Sequence, residues 1–322
     1  MTNIASVCNL LCLLLRNYKS VRRSAAIGAF ALLILVAHRA GSQSGPGNRV
    51  RELAPGVFFW QGDLPTRTQT NVGWVVFQDY VFVIDANFPW GARDILPAIR
   101  KTTGKPIRFV FDTHYHADHA YGNGVFAEAG AAVVSSEECA EESRRKGPRD
   151  VANQAKGRTP EALVHPTVVF EKRMAFDDGQ RRVELTRLGP AHTRGDAVAY
   201  LPKEKILFVG DLAVNWIFGN NLSDPDADHA NWVRALDQLS QWNAAVVVPS
   251  HGELGTIETL KGQRGYLGEM LDRVQAGIRD GKTADDLAQG IDLSRRRPFG
   301  SDPARTASQV RSMYRALTTR AH

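Results

Sequence analysis

The sequence predicts a mixed α/β fold, with paired sheets covered by helices and a helical C-terminal extension. Two observations lead there. From about residue 50 to 255, short apolar runs alternate with turn residues, and the strands they imply come in pairs with occasional helices, unlike a strict βαβ repeat. After Gly255 the pattern turns helical to the end of the chain. The composition, 43% hydrophobic and 23% charged over 322 residues, excludes a collagen, a coiled-coil rod or a disordered tail.

Taken in order, residues 1–40 read as an address rather than as fold. A basic stretch from Arg16 to Arg23 precedes an apolar run from Ala25 to Ala37, the charged and apolar regions of an export signal. His38 stands where a small residue favours cleavage after Ala40, so the segment reads as a cleaved signal or as an uncleaved N-terminal anchor. Either way the protein is expected to be exported, periplasmic or secreted. The net charge of +6 is also explained there. Arg16, Lys19, Arg22, Arg23 and Arg39 set aside, 41–322 holds 35 basic against 34 acidic residues, and no electrostatic case for nucleic acid remains. Cys8 and Cys12 lie in the same segment; Cys139 alone cannot make an internal disulfide or a thiolate cage.

Strands are expected at Val57–Trp60, Val72–Phe77, Val81–Ile84, Ile107–Phe111, Ala132–Val134, Thr167–Phe170, Val183–Leu188, Val198–Leu201, Ile206–Val209 and Val246–Val248. Helices are expected at Ala92–Thr103, Val125–Ala129, Glu137–Lys146 and Ala230–Trp242, then at Ile257–Arg279, Ala284–Gln289 and Ala304–Leu317. The last three form an extension, 256–322, which either packs outside the sheets or contacts substrate.

The chemistry concentrates at strand ends. His114, His116, Asp118 and His119 crowd together directly after the run Ile107–Phe111. In extended backbone, i and i+2 side chains project to one side, so His114 and His116 can converge on one ion while Asp118 and His119 face a second. His192 follows Val183–Leu188, Asp211 follows Ile206–Val209 and His251 follows Val246–Val248. Four times a buried-looking strand ends in a Gly- or Pro-containing turn bearing a ligand-type residue, the usual setting of a site on a rigid scaffold. Imidazole and carboxylate suit zinc, with iron or manganese as alternatives.

The His-x-His-x-Asp-His run, the Gly-x-x-His-Thr-x-Gly-Asp segment, the Gly-Asp after a strand and the terminal Ser-His-Gly resemble the metallo-β-lactamase superfamily over about residues 50–255. The resemblance implies a four-layer αββα sandwich over 41–255, with the site at one edge. It assigns His114, His116 and His192 to a first metal, Asp118, His119 and His251 to a second, and Asp211 as bridge. Asp at 211 is similar to the glyoxalase-II-like branch; the best-known zinc β-lactamases have Cys or a non-ligand residue there. The long inserted domain of the nuclease branch is missing. The function implied is an exported hydrolase with two Zn(2+), in which a metal-bound hydroxide attacks an amide, ester or thioester carbonyl, a β-lactam among the candidates. Asp118 would be the catalytic carboxylate, orienting the nucleophile. The partner expected is a small-molecule substrate, with membrane contact only through an uncleaved anchor. The alternative is a non-hydrolytic metal-binding or relay protein of an exported oxidation system.

Other residues read more plainly. Asp85 and Asp196 either support the site or close a strand and a turn. Thr113 and Thr193 are expected to hold loops, His165 to lie on the surface, His229 to open a helix and Cys139 to sit in one. Trp60, Arg67 and Asn71 either line a flap over the site or belong to a simple hairpin connection.

Overall fold

The computed structural model describes residues 50–63, 69–155, 161–215 and 219–319. The leader reading for residues 1–40 and Arg67 lie outside them. Two sheets carry the fold. The first has seven strands in sequence order: β1 (Val50–Ala54), β2 (Val57–Trp60), β3 (Val72–Val76), β4 (Val81–Ile84), β5 (Ile107–Phe111), β6 (Ala132–Ser136) and β7 (Val168–Phe170). β1 to β4 are antiparallel and β4 to β7 parallel. The second is ordered β12 (Val246–Val248), β11 (Ile206–Phe208), β10 (Ala197–Leu201), β9 (Arg182–Arg187), β8 (Arg173–Asp177), with only β11 and β12 parallel.

Alternation in the sequence assigns the faces. Val57, Phe59, Val75, Phe82, Ile84 and Phe111 meet Leu185, Ala199, Ile206, Phe208 and Val248 in one core between the sheets. The intervening residues Val72, Trp74, Val81, Val83 and Val110 face outward onto α1 (Pro89–Thr102) and α3 (Asn123–Glu128). On the far side, Val198, Leu207 and Val247 pack against α6 (His229–Leu239), α7 (Ile257–Arg279), α8 (Ala284–Gly290) and α9 (Pro303–Thr319). Helix, sheet, sheet and helix make the expected four layers. The sheets come close at Gly73, where a Cβ would stand 2.2 Å from the Phe208 ring. Among the described residues, no helix is long and apolar enough to cross a membrane.

Some elements escape the sequence reading. β1 and β8 are edge strands whose residues are half-buried or exposed, so no apolar run marks them. Missing too are α2 (Ala117–Ala120) and α5 (Gly147–Ala155), each too short or too polar for a clear 3.6-residue period. α4 (Glu137–Arg145) starts where expected, with Ser136 as its N-cap accepting from Cys139 N. α1 begins three residues earlier than expected, because Pro89 fits the first turn, where no N–H is needed.

The topology also fixes where the site lies. β4 and β5 are parallel, and so are β11 and β12, while β9 runs in the direction of β11 because each is antiparallel to β10. The strands preceding Asp85, His114, His192, Asp211 and His251 therefore all end at one edge of the sandwich. Ala197 N donates to Thr113 O across the sheets (2.9 Å), and Asn71 N to Ser250 O, tying the loops of that edge together.

Candidate metal centre

Seven side chains from four loops meet at this edge and divide into two groups: His114, His116, His192 and Asp211, and Asp118, His119 and His251. In the first, His116 Nδ1 lies 3.0 Å from His114 Nε2 and 3.2 Å from His192 Nε2. Asp211 Oδ2 lies 3.4 Å from His192 Nε2 and 3.9 Å from His114 Nε2. In the second, Asp118 Oδ2 lies 3.3 Å from His251 Nε2 and 3.7 Å from His119 Nε2; Asp211 Oδ1 is 3.4 and 3.5 Å from the same two nitrogens. The two oxygens of Asp211 thus face different groups.

The donor set fits metal ions. An ion about 2.0–2.1 Å from each ligand implies tetrahedral edges of about 3.3–3.4 Å, within the observed spread. His119 Nε2 is buried without a hydrogen-bond partner, an orphan that an ion would satisfy. The opposite ring nitrogens are mostly engaged, as metal-ligating histidines require. His119 Nδ1 meets Asp85 Oδ2 (3.0 Å), His116 Nε2 meets Asp224 Oδ2 (2.9 Å), His114 Nδ1 lies 3.2 Å from Thr113 Oγ1 and His251 Nδ1 is 3.3 Å from Gln69 O. His192 Nδ1, in contrast, is buried without a partner.

Burial and mutual charge set the protonation of these side chains. Burial pushes His114 well down, helped by His119 and His116, and takes His192 to about 4 against the pull of Asp211. Burial also opposes charge on His116, yet its hydrogen bond to Asp224 lifts it to about 9. In His119 and His251, the carboxylates around them overcome burial and raise the imidazoles. For Asp118 and Asp211, burial is overcome in turn by the histidines, which hold both carboxylates below their usual range. Metal binding here must release protons.

Several supporting residues are placed by the structure alone. Asp85, at φ +61° after β4, accepts from Thr113 N (2.9 Å) as well as meeting His119, so it belongs to the site. Asp196 does not touch a ligand imidazole: it accepts from Thr193 N and Oγ1 and closes the turn after His192. Asn71 donates to Pro249 O and Gly252 O, bracing the His251 loop from a buried position; β2 and β3 pair antiparallel, and the segment between them lies partly outside the described residues. His165 is half-buried rather than on the surface, bonded to Ser143 Oγ (2.9 Å). The cap of α6 is Asp228, whose side chain accepts from Asn231 N; His229 is buried with Nε2 2.9 Å from Leu222 O.

Sequence reasoning missed Asp224, Thr70, Asn220 and Ser250. Thr70 Oγ1 donates to Asp118 Oδ2 (3.2 Å), Asn220 Nδ2 to Asp211 O (2.6 Å) and Ser250 Oγ to Asp211 Oδ1. Ser250 alone carried a signal, as the neighbour of His251 in Pro-Ser-His-Gly.

Comparison with known proteins bears on the family and the fold. The family model for the metallo-beta-lactamase superfamily matches residues 65–251. A linear primary-alkylsulfatase from Pseudomonas sp. (strain ATCC 19151) is 23% identical over 246 residues, 63% of this chain and 46% of that protein. The chain thus spans about half the length of this curated relative. Among solved structures, a metallo-beta-lactamase from Pontibacter korlensis is 26% identical with a TM-score of 0.57, covering 68% of this chain and 98% of that one. The sec-alkylsulfatase Pisa1 from Pseudomonas sp. is 19% identical with a TM-score of 0.68, covering 83% of this chain and 49% of that one.

Proposed function

The chain belongs to the metallo-β-lactamase superfamily, and from that premise we propose that it is an exported hydrolase working with two zinc ions on a small-molecule ester, amide or thioester. The observation that carries this reading is Asp211, whose Oδ2 faces His114 and His192 while Oδ1 faces His119 and His251. Two divalent ions held by these residues would lower the pKa of water toward neutral and polarise the bond under attack. The residues of the chain do the rest. Asp118 is the more exposed of the two carboxylates, 17% against 9%, and is the group that orients the attacking water. Thr70 and His251 hold its Oδ2, and Asp85 and Asp224 fix the ring planes of His119 and His116. Export rests on the leader-like pattern of residues 1–40, and cell fractionation tests it.

A second reading, hydrolysis of a sulfate ester, is favoured by the alkylsulfatase relative. The likeness to the sec-alkylsulfatase fold also takes in more of this chain than residues 50–255 can supply. The Lys146 ammonium, which stands over the Tyr115 ring next to His116, is already engaged by Glu142 and Asp226.

The test measures metal content, then kcat/KM for a chromogenic cephalosporin, a thioester and an alkyl sulfate, each with and without chelator. Two ions per chain and chelator-sensitive turnover of the first or second substrate support the main reading. Turnover of the alkyl sulfate alone moves the protein to the second. Two ions with no turnover of any substrate favour the non-hydrolytic alternative.

A further inference from the structure

The C-terminal helices reach the candidate metal centre through the segment that carries Asn220. We propose that Gln309, on α9, is a positioning residue for the centre, acting through Asn220 on the backbone of Asp211. This rests on the reading of Asp211 as the ligand shared by both ions.

Each link is a buried hydrogen bond. Tyr266 on α7 donates its hydroxyl to Gln309 Oε1 (2.8 Å), and that hydroxyl also lies 3.2 Å from Thr306 Oγ1. With Oε1 so engaged, the Gln309 amide presents Nε2 to Asn220 O. Arg305 Nη2 donates to the same carbonyl (3.2 Å) and to Gly219 O (3.3 Å). Asn220 in turn gives Nδ2 to Asp211 O. Tyr266, Gln309 and Asn220 are each at most 3% exposed, so water cannot stand in for a lost partner.

The link adds to what already holds Asp211, whose side chain accepts from Ser250 Oγ and whose neighbour Leu212 accepts at O from Trp232 Nε1 (2.9 Å). Asp211 sits in a three-residue 3₁₀ turn, Gly210–Leu212, whose backbone bonds are long: Leu212 N to Val209 O at 3.2 Å and Ser250 N to Gly210 O at 3.3 Å. Fixing the Asp211 carbonyl fixes the peptide plane and hence the direction of its Cα–Cβ bond. That direction decides how the two carboxylate oxygens divide between the groups, where a misplacement of about 0.5 Å is already costly. Gln309 therefore makes the helical extension part of the site without touching it.

The test uses the full chain and the variants Gln309→Leu, Asn220→Ala, their double and Tyr266→Phe. Zinc affinity is read by chelator competition and thermal stability on metal-free protein. Gln309→Leu and Asn220→Ala should each weaken zinc binding about tenfold, and the double no further than Asn220→Ala, because both cut one chain of bonds. Tyr266→Phe, which removes a single oxygen and keeps the packing, should cost about threefold and carries the test if Gln309→Leu does not fold. Wild-type zinc affinity in Gln309→Leu, even with a lowered Tm, would mean that Gln309 only docks the helix and would overturn the proposal. Additive losses in the double variant would do the same. If the wild type binds two ions, such a failure leaves the dinuclear reading standing; if it binds fewer, both fall.

Discussion

Asp85 ends β4 in the left-handed region, with Oδ1 taken by Thr113 N and Oδ2 by His119 Nδ1. It stands outside the candidate ligand groups, yet it sets the tautomer and ring plane of a member of one. Asp85→Ala should weaken binding of the second ion by about 10- to 100-fold, read by chelator competition. Equal affinity would show that His119 needs no orienting partner. Asp196 lends itself to a different measurement. Burial lifts its carboxyl to about 7, against the bonds from Thr193, so the folded state keeps a proton that the unfolded chain sheds near the ordinary carboxylate value. The unfolded state then binds fewer protons at this site between about pH 4 and pH 7, and the stability that this carboxyl contributes must fall across that window as pH rises. Asp196→Asn should flatten the fall, seen as a smaller difference in urea midpoint between pH 5 and pH 7.5. The seven residues brought together were legible because each stands at a strand end in a turn with its own signature. Asp224 was not: it meets His116 from 108 residues away, and no local pattern announces such a partner.

At the level of elements, legibility followed burial. β2, β4, β5 and β12 were read to the residue because their apolar runs are bounded by turns. The edge strands β1 and β8 were lost, since one sheet neighbour and a solvent face leave a strand free to be polar. Register is enforced most tightly where the sheets touch. Gly73 on β3 has no room for a methyl group against Phe208 on β11. Gly73→Ala should therefore force the sheets or the ring aside and cost about 1–3 kcal/mol, measured by urea unfolding. A cost below about 0.5 kcal/mol would mean that the ring turns away freely.

At the level of the molecule, the question is whether the extension after Gly255 is an appendage. The sequence marks a change of character there, and the likeness to the Pontibacter lactamase covers nearly all of that protein while leaving about a third of this chain unmatched. The packing says otherwise. α7 alone gives Leu260, Tyr266, Leu267, Met270, Leu271 and Val274 to the core that covers the second sheet, beside Trp232, Leu236 and Val247. Six such side chains stabilise by roughly 9–18 kcal/mol when buried, at about 1.5–3 kcal/mol each. That equals or exceeds the typical net stability of a whole domain, about 5–15 kcal/mol. A chain ending at residue 255 should therefore fail to fold, appearing as insoluble protein or as a species without cooperative thermal unfolding. A soluble 41–255 fragment that melts cooperatively and still binds two zinc ions would show that the outer helices are dispensable. It would also show that Asp211 holds its position without Gln309.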